Sequence, residues 1–327
     1  MPGPTLSEVH VNRPLSNYML QYGLEQNYIA DKVAPRLPVT FKSDSFYVYP
    51  KEYWLQALAT LRAPGTPSVG GQYHITTGQF NTQVYAFHYD LADQVRANFD
   101  TVLSADQSGV RYVTNNLLNS KELQWHQKFL TTGVWQGVGT GVGDFDVTAD
   151  GGGAWNTDSS NPIRCIRSLA TLMQARTTKR PNTLVLTRDV ADALMDNKYL
   201  LDLIRFSGGE GGFVTQATLQ KAFDIQNIVI AETVLNTAQT GMPANTGFLS
   251  KGKFLLCYVT PSPSMLEPTA MMTFTWNGYL GGSAAGNTIK TFRMEELASD
   301  RIEGEMAYDM QVIAPDLGIL GTNILAS

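Results

Sequence analysis

The residues that could do chemistry are few and poorly spaced for it. The four histidines, His10, His74, His88 and His126, are scattered, and none stands in an H-E-x-x-H or another metal-ligand spacing. His126 falls within a helical stretch and reads as a packing or solvated side chain rather than a base. Gly137-Val138-Gly139-Thr140-Gly141 has the glycine density of a nucleotide loop. Such a loop must follow a strand and open a helix, so that the helix N-terminus meets the phosphate. This run follows a helix, leads to Asp144-Phe145-Asp146 and lacks a Gly-Lys-Ser/Thr ending, so it reads as a hinge. Gly281-Gly282-Ser283-Ala284-Ala285-Gly286 falls one residue short of a G-x-S-x-G nucleophile elbow and reads as a turn. Glu295, Glu296, Glu303 and Glu305 could divide acid and base roles. Their strand-like surroundings make them an exposed edge or a strip of salt bridges between subunits. Cys165 and Cys257 sit apart in apolar surroundings and read as buried free thiols in a reducing, cytosolic compartment. The five tryptophans are dispersed and form no stacking platform for single-stranded nucleic acid. No catalytic, cofactor-binding or metal-ligating set emerges, and the chain reads as a non-enzyme without a cofactor.

Composition explains what the chain has instead. Its 327 residues are enough to bury a sizeable core, and 43% are apolar. Lys and Arg number 24 against 29 Asp and Glu, a net charge of −5, so no basic excess is available to grip nucleic acid. Only 16% of residues are charged, against about 25% in ordinary soluble domains. Interface cores are depleted in charge, so this scarcity fits either a surface covered by partners or one rich in Gly, Asn and Thr. No basic-then-apolar leader opens the sequence, and no run approaches the ~18 apolar residues of a membrane span.

The elements that organise these residues follow from periodicity. Leu15, Tyr18, Met19 and Tyr22 repeat at helical spacing, and the prolines of Ala34–Val39 then impose an extended segment. This opening has too few apolar residues to fold alone. From Ser45 to Asp90 the pattern describes a long two-stranded excursion. Phe46–Tyr49 opens it, Pro64, Gly65, Pro67, Gly70 and Gly71 punctuate it, and Val84–Tyr89 returns with Tyr85, Phe87 and Tyr89 on one face. An isolated hairpin is at best marginally stable in water. Ser104 to Leu130 predicts a long helix with a Ser104/Gln107 capping box and an apolar face of Val110, Val113, Leu117, Leu118, Trp125 and Phe129. Gly109 weakens its first turn. The glycine-rich Gly133–Gly153 marks a boundary.

An α/β unit is then predicted over 156–265. Asn161-Pro162 starts a helix, Thr183–Thr187 is a strand, and helices follow at Asp189–Asn197, Leu200–Phe206 and Thr215–Phe223. Gly208–Gly212 reads as a mobile loop. Asn227–Ala231 and Phe254–Val259 complete the sheet. Strands at Met271–Trp276, Thr288–Met294 and Met306–Ile313 close the chain, the last stopped by Pro315 and Gly318. A clinging arm and a protruding hairpin lack contacts that symmetric self-association would supply.

The sequence resembles tailed-bacteriophage major capsid proteins. The likeness is carried by Tyr28–Pro35, Pro38-Val39, Phe46–Tyr49, Arg62–Gly65 and the run Tyr89-Asp90-Leu91, Val95, Ala97-Asn98 and Asp100 before the long helix. It continues through Trp155, Asn161–Ile163, Pro181–Val185, Ile225, Val229 and Ala231, Met272–Trp276 and Val312–Gly318. The resemblance implies an α+β coat fold shared with encapsulins and the herpesvirus capsid floor. It divides the chain into an N-terminal arm (1–45), an extended E-loop (46–90), a first P-domain part with its spine helix (91–155, helix 104–130), an A-domain at the capsomer axis (156–265) and a second P-domain part (266–327). It implies pentamers and hexamers tiling an icosahedral or prolate virion shell around double-stranded DNA, without sequence-specific binding and without a membrane. Assembly would occur in the host bacterial cytoplasm, with a portal, a separate scaffolding protein and, where one exists, a decoration protein. Some coat proteins carry a scaffolding region before the arm, whereas here the arm opens almost at Met1. Lys42 and Lys51 flank the hairpin, but no motif identifies cross-linking. The expected intersubunit contacts are Tyr28, Val33, Pro35, Arg62, Pro64, Gly65, Glu295 and Glu296. An encapsulin-like compartment, with packaged enzyme in place of DNA, is the alternative within the same fold.

Overall fold

The computed structural model describes residues 27–48, 51–98, 105–136, 144–150, 152–206, 214–239, 241–279 and 287–326. The Leu15–Tyr22 stripe, the Ser104 cap and the glycine runs at 137–141, 208–212 and 281–286 lie outside them. The first half contains α1 (Ala30–Val33), β1 (Arg36–Val39), β2 (Ser43–Val48), α2 (Lys51–Trp54), β3 (Thr76–Asn81), β4 (Gln83–Ala92), α3 (Asp93–Ala97) and the long helix α4 (Ala105–Phe129). Then come β5 (Phe145–Asp146), α5 (Val147–Asp150), α6 (Pro162–Thr177), β6 (Thr183–Thr187), α7 (Arg188–Asp196), α8 (Lys198–Phe206), α9 (Gln216–Phe223) and β7 (Asn227–Ala231). A small hairpin, β8 (Val234–Asn236) and β9 (Thr246–Phe248), precedes β10 (Phe254–Cys257), β11 (Met271–Trp276), β12 (Asn287–Met294), β13 (Ser299–Val312) and β14 (Gly318–Thr322).

Two five-stranded sheets carry the chain. In the first, β13 is the axis. Its early residues pair with β12 on one side and β4 on the other, and its end pairs with β11, which holds β1 in parallel. The second runs β5-β14-β10-β6-β7. Its strands are apolar along their middles because both faces are covered, and the polar residues Asp146, Thr183, Thr187, Asn227 and Thr322 stand at strand ends. Leu184, Leu186, Phe254, Leu256 and Ile319 face a core with α6, α7 and α9. Val185, Leu255, Cys257 and Leu320 face a second core with α4 and the first sheet. Strict alternation thus divides the runs Thr183–Thr187 and Phe254–Cys257 between two cores.

Local signals predict the helix starts well. Asn161 caps α6 by accepting from the Arg164 N–H, with Pro162 in the first turn, and Thr215 caps α9 from the Thr218 N–H. Long-range pairing is where expectation and structure part. The strand returning to β2 is β3, in register from Ser43 opposite Asn81 to Val48 opposite Thr76. Val84–Tyr89 lies instead in β4, paired with β13. Its aromatic face does exist, but it packs on the chain's own α4 and β13: Tyr85 stacks on Tyr308 at 4.7 Å, and Phe87 and Tyr89 meet Tyr112 edge-on. β13 ends at Val312, ahead of the Pro315 turn as expected, but an unexpected further strand, β14, follows and enters the second sheet beside β10. Two of that sheet's five strands, β5 and β14, therefore come from outside the expected 156–265 span.

Gly109 has a packing reason to outweigh its helix cost. A Cβ there would stand 2.7 Å from Ile302 Cδ1 in β13. Across the contact, a Cβ on Gly304 would stand 2.6 Å from Val113 Cγ1 and 2.7 Å from Leu117 Cδ1. Two glycines thus let α4 lie close on β13. Gly304→Val is expected to lose about 1–3 kcal/mol by overpacking. Chemical denaturation checks this, and an unchanged midpoint would show that the helix can move away freely.

Candidate functional site

His10 lies outside the described residues; among the others, the groups that might have done chemistry are dispersed or already paired. His126 is buried, with Nδ1 2.8 Å from Ser250 Oγ, and His74 packs edge-on against Tyr53. Glu305 is buried and accepts from Lys290 Nζ at 2.6 Å, whereas Glu295 and Glu296 sit on the exposed 3-10 turn between β12 and β13. Glu303, two residues before Glu305 on β13, also acts on Lys290, so the four carboxylates are divided between that strand and the turn. Both cysteines are free and buried, and burial pushes each thiol up to about 12. Among the described residues no group of three or more His, Cys, Asp or Glu could hold a metal ion, and no helix is long and apolar enough to cross a membrane.

The distinctive surface is the excursion between β2 and β3. Its base is rigid. Phe46 and Phe80 are buried against Phe274, the latter pair stacked at 4.3 Å, and Gly78 leaves room for the Phe46 ring. Lys51 Nζ reaches Asp316 Oδ2 at 2.6 Å, and a cleft of about 920 Å³ opens there between Trp54 and Tyr73 of the excursion and Leu266 and Ile313 of the body. Beyond the base, every residue from Glu52 to Thr77 is exposed. Leu55, Leu58, Leu61, Val69 and Tyr73 stand in water, Leu61 completely. At the tip, the Thr66 N–H and Oγ1 both donate to Ala63 O, Gly65 takes φ +83°, and Arg62 Nε donates to Thr66 O at 2.5 Å. Arg62, Pro64 and Gly65 are thus all exposed on one ordered turn.

The arm behaves differently. Its described part packs on its own body. β1 pairs with β11, and Val33 is completely buried in the core under α4, which removes it from the expected intersubunit contacts. Tyr28 donates to Asn119 Oδ1 at 2.9 Å, and Pro35 O accepts from the Thr273 N–H, so both are also engaged within the chain. The crossing of arm and helix is held by charges. Glu122, with no exposed surface, accepts from the Ile29 N–H (3.1 Å) and the Ala30 N–H (3.0 Å). It thereby caps α1, whose own N-cap residue, Ile29, supplies no side-chain bond. Lys121 Nζ donates to Asp31 Oδ1 at 2.5 Å, and Arg36 Nε reaches the same carboxylate at 2.8 Å. The sequence did hold a signal for this. Lys121 lies four residues from both Leu117 and Trp125, a charge in the middle of an apolar face.

Burial by itself raises the Asp31 carboxyl, but the hydrogen bonds and charges of Arg36 and Lys121 outweigh it and hold Asp31 below the ordinary carboxylate range. Lys121 moves down, because its deeper burial exceeds the help it receives from Asp31. A carboxyl depressed in the folded state adds stability above its unfolded value, about pH 4, and loses it as pH falls through the folded value. Asp31→Asn should therefore flatten the acid limb of a stability–pH curve; a curve superimposable on the parent's counts against the ion pair. Glu122→Leu leaves two buried N–H groups without an acceptor and is expected to cost about 2–5 kcal/mol. Amide exchange at Ile29 and Ala30 should accelerate, and unchanged protection there would dismiss the cap.

No family model and no curated protein matches the chain in sequence. Solved structures do match in shape. A phage-related protein from Bordetella bronchiseptica RB50 superposes with TM-score 0.68 at 18% identity, covering 97% of this chain and 98% of its own. The mature capsid of bacteriophage PhiM1 gives TM-score 0.59 at 12% identity, covering 98% of both chains. An encapsulin complex from Synechococcus elongatus gives 0.51 at 11%, covering 96% of both. The arrangement of arm, excursion, long helix and two sheets is the α+β fold of phage capsid proteins.

Proposed function

We propose that this chain is a structural subunit that assembles with copies of itself into a closed shell, as a phage major capsid protein. One observation carries the reading: a rigidly based excursion whose apolar side chains lie in water, on a chain with the capsid fold. Large exposed apolar patches mark interaction sites. An outstretched segment that cannot reach its own body is dried by a neighbour related by symmetry. In this reading the shell consists of hexamers and pentamers around double-stranded DNA, built in the host bacterial cytoplasm with a scaffolding protein and a portal, and forms part of the virion. The excursion tip at Arg62, Pro64 and Gly65 and the turn at Glu295 and Glu296 are its contact surfaces. The chain's work is binding rather than catalysis.

Negative-stain microscopy of the purified protein, alone and with its scaffold, tests this. Capsomers or shells are expected, and a lasting monomer under both conditions overturns it. The cargo separates the two shell types, since enzyme inside the particles in place of DNA selects the encapsulin-like alternative. Removing Leu58–Val69 should leave circular dichroism unchanged and reduce closed shells at least about tenfold, because a lost apolar contact of 1.4 kcal/mol already shifts each association tenfold. Normal shells from this deletion would show that the tip makes no essential contact.

A further inference from the structure

Arg62 is the only charged residue between Tyr53 and Tyr73. Its Nε is tied to Thr66 O, which holds the side chain on the tip turn, in a segment that also exposes Leu58, Leu61 and Val69. A single cation amid apolar side chains is the composition of an interface hot spot. A surface of opposite character lies on the same chain. The 3-10 turn Glu295–Leu297 presents two carboxylates, the Glu295 side chain 86% exposed, beside exposed Leu297 and Phe292. This turn is also held in place. The Ala298 N–H donates to Glu295 O, and Ala298 O accepts from the Asp93 N–H. Arg293, which approaches Glu295 at only 3.9 Å, is itself occupied by Asp93 and Asp300 at 2.6 and 3.3 Å.

Both surfaces are exposed in the folded chain, so they do not satisfy one another within one molecule. Their charge and their apolar rims are complementary. Resting on the shell reading above, we propose that the tip of one copy seats on the Glu295–Leu297 turn of a second copy, with the Arg62 guanidinium received by Glu295 and Glu296 and Leu61 laid against Leu297 and Phe292. Because the two surfaces differ, the contact is head-to-tail and propagates around a ring or across a lattice.

Charge reversal in the full chain tests the pairing. Arg62→Glu alone, and Glu295→Arg with Glu296→Arg, should each cut the assembled fraction at least about tenfold while circular dichroism stays that of the parent. Combining all three should restore assembly to within about twofold, since the attractive pair is rebuilt with its signs exchanged. Parent shells should also loosen near 1 M salt, where screening acts beyond ~3 Å. As an independent measurement, Arg62→Cys with Glu296→Cys should give covalent oligomers with a short bis-maleimide, the native cysteines being buried. Normal assembly after single reversal, failure of the combination to recover, or monomer only after cross-linking overturns the pairing. A parent chain that never assembles overturns the shell reading itself.

Discussion

A carboxylate removed from water must be met by donors, and Glu122 imposes that condition where three parts of the chain cross. It has no exposed surface, and its acceptors are filled by the Ile29 and Ala30 N–H groups of the arm. Thr233, just after β7, stands 3.5 Å away, and so does His126 Nε2 one turn along α4. The arm, the long helix and the edge of the second sheet are therefore fixed to one another by a single side chain. An unpaired charge in that place is strongly destabilising. α4 in turn lies on β13 through paired glycines, so the first sheet follows the same placement.

The chain spends its apolar surface unevenly. Its second sheet is buried on both faces, and three tryptophans, Trp125, Trp135 and Trp155, are completely buried. Leu55, Leu58, Leu61, Val69 and Tyr73 are left in water on the excursion. A poorly folded protein would scatter such residues. Others, such as Phe41, Met242 and Leu266, are exposed elsewhere, but these five share one segment whose base is held by stacked Phe80 and Phe274 and by Lys51 with Asp316. Burial of apolar area on association is the obvious return on that arrangement. Some of the few charges form ion pairs at the joints between elements.

Those joints show a common design. Arg301 meets Asp90 at 2.7 Å across β13 and β4, and Arg293 meets Asp93 at 2.6 Å across β12 and α3. Arg96 links Asp300 and Asp106, joining α3 to β13 and to the first turn of α4. Exposed ion pairs add little stability singly. Arranged at the corner where β4 turns into α4, they set direction, and that corner carries the turn bearing Glu295 and Glu296.

The sequence by itself determined what depends on neighbouring residues. Periodicity marked α4, α6 and the strands Thr183–Thr187, Asn227–Ala231 and Met271–Trp276, because side-chain direction repeats locally with the backbone. Asn161, Pro162 and Thr215 marked helix starts, because a cap is a contact three residues long. Tertiary structure alone decided the pairings. Phe46–Val48 and Val84–Tyr89 look like two halves of one hairpin, yet β3 takes the first and β13 the second, since strand pairing is settled by whichever distant edge completes the core. β14 and the Glu122 cap were hidden for the same reason: the groups that satisfy them lie 60 or more residues away. Val33 read as an outward contact because its segment has too few apolar residues to fold alone, and it is buried because α4 supplies the rest. The exposed tip remained legible, since Pro64, Gly65, Pro67 and Gly70 leave a chain nothing to pair with.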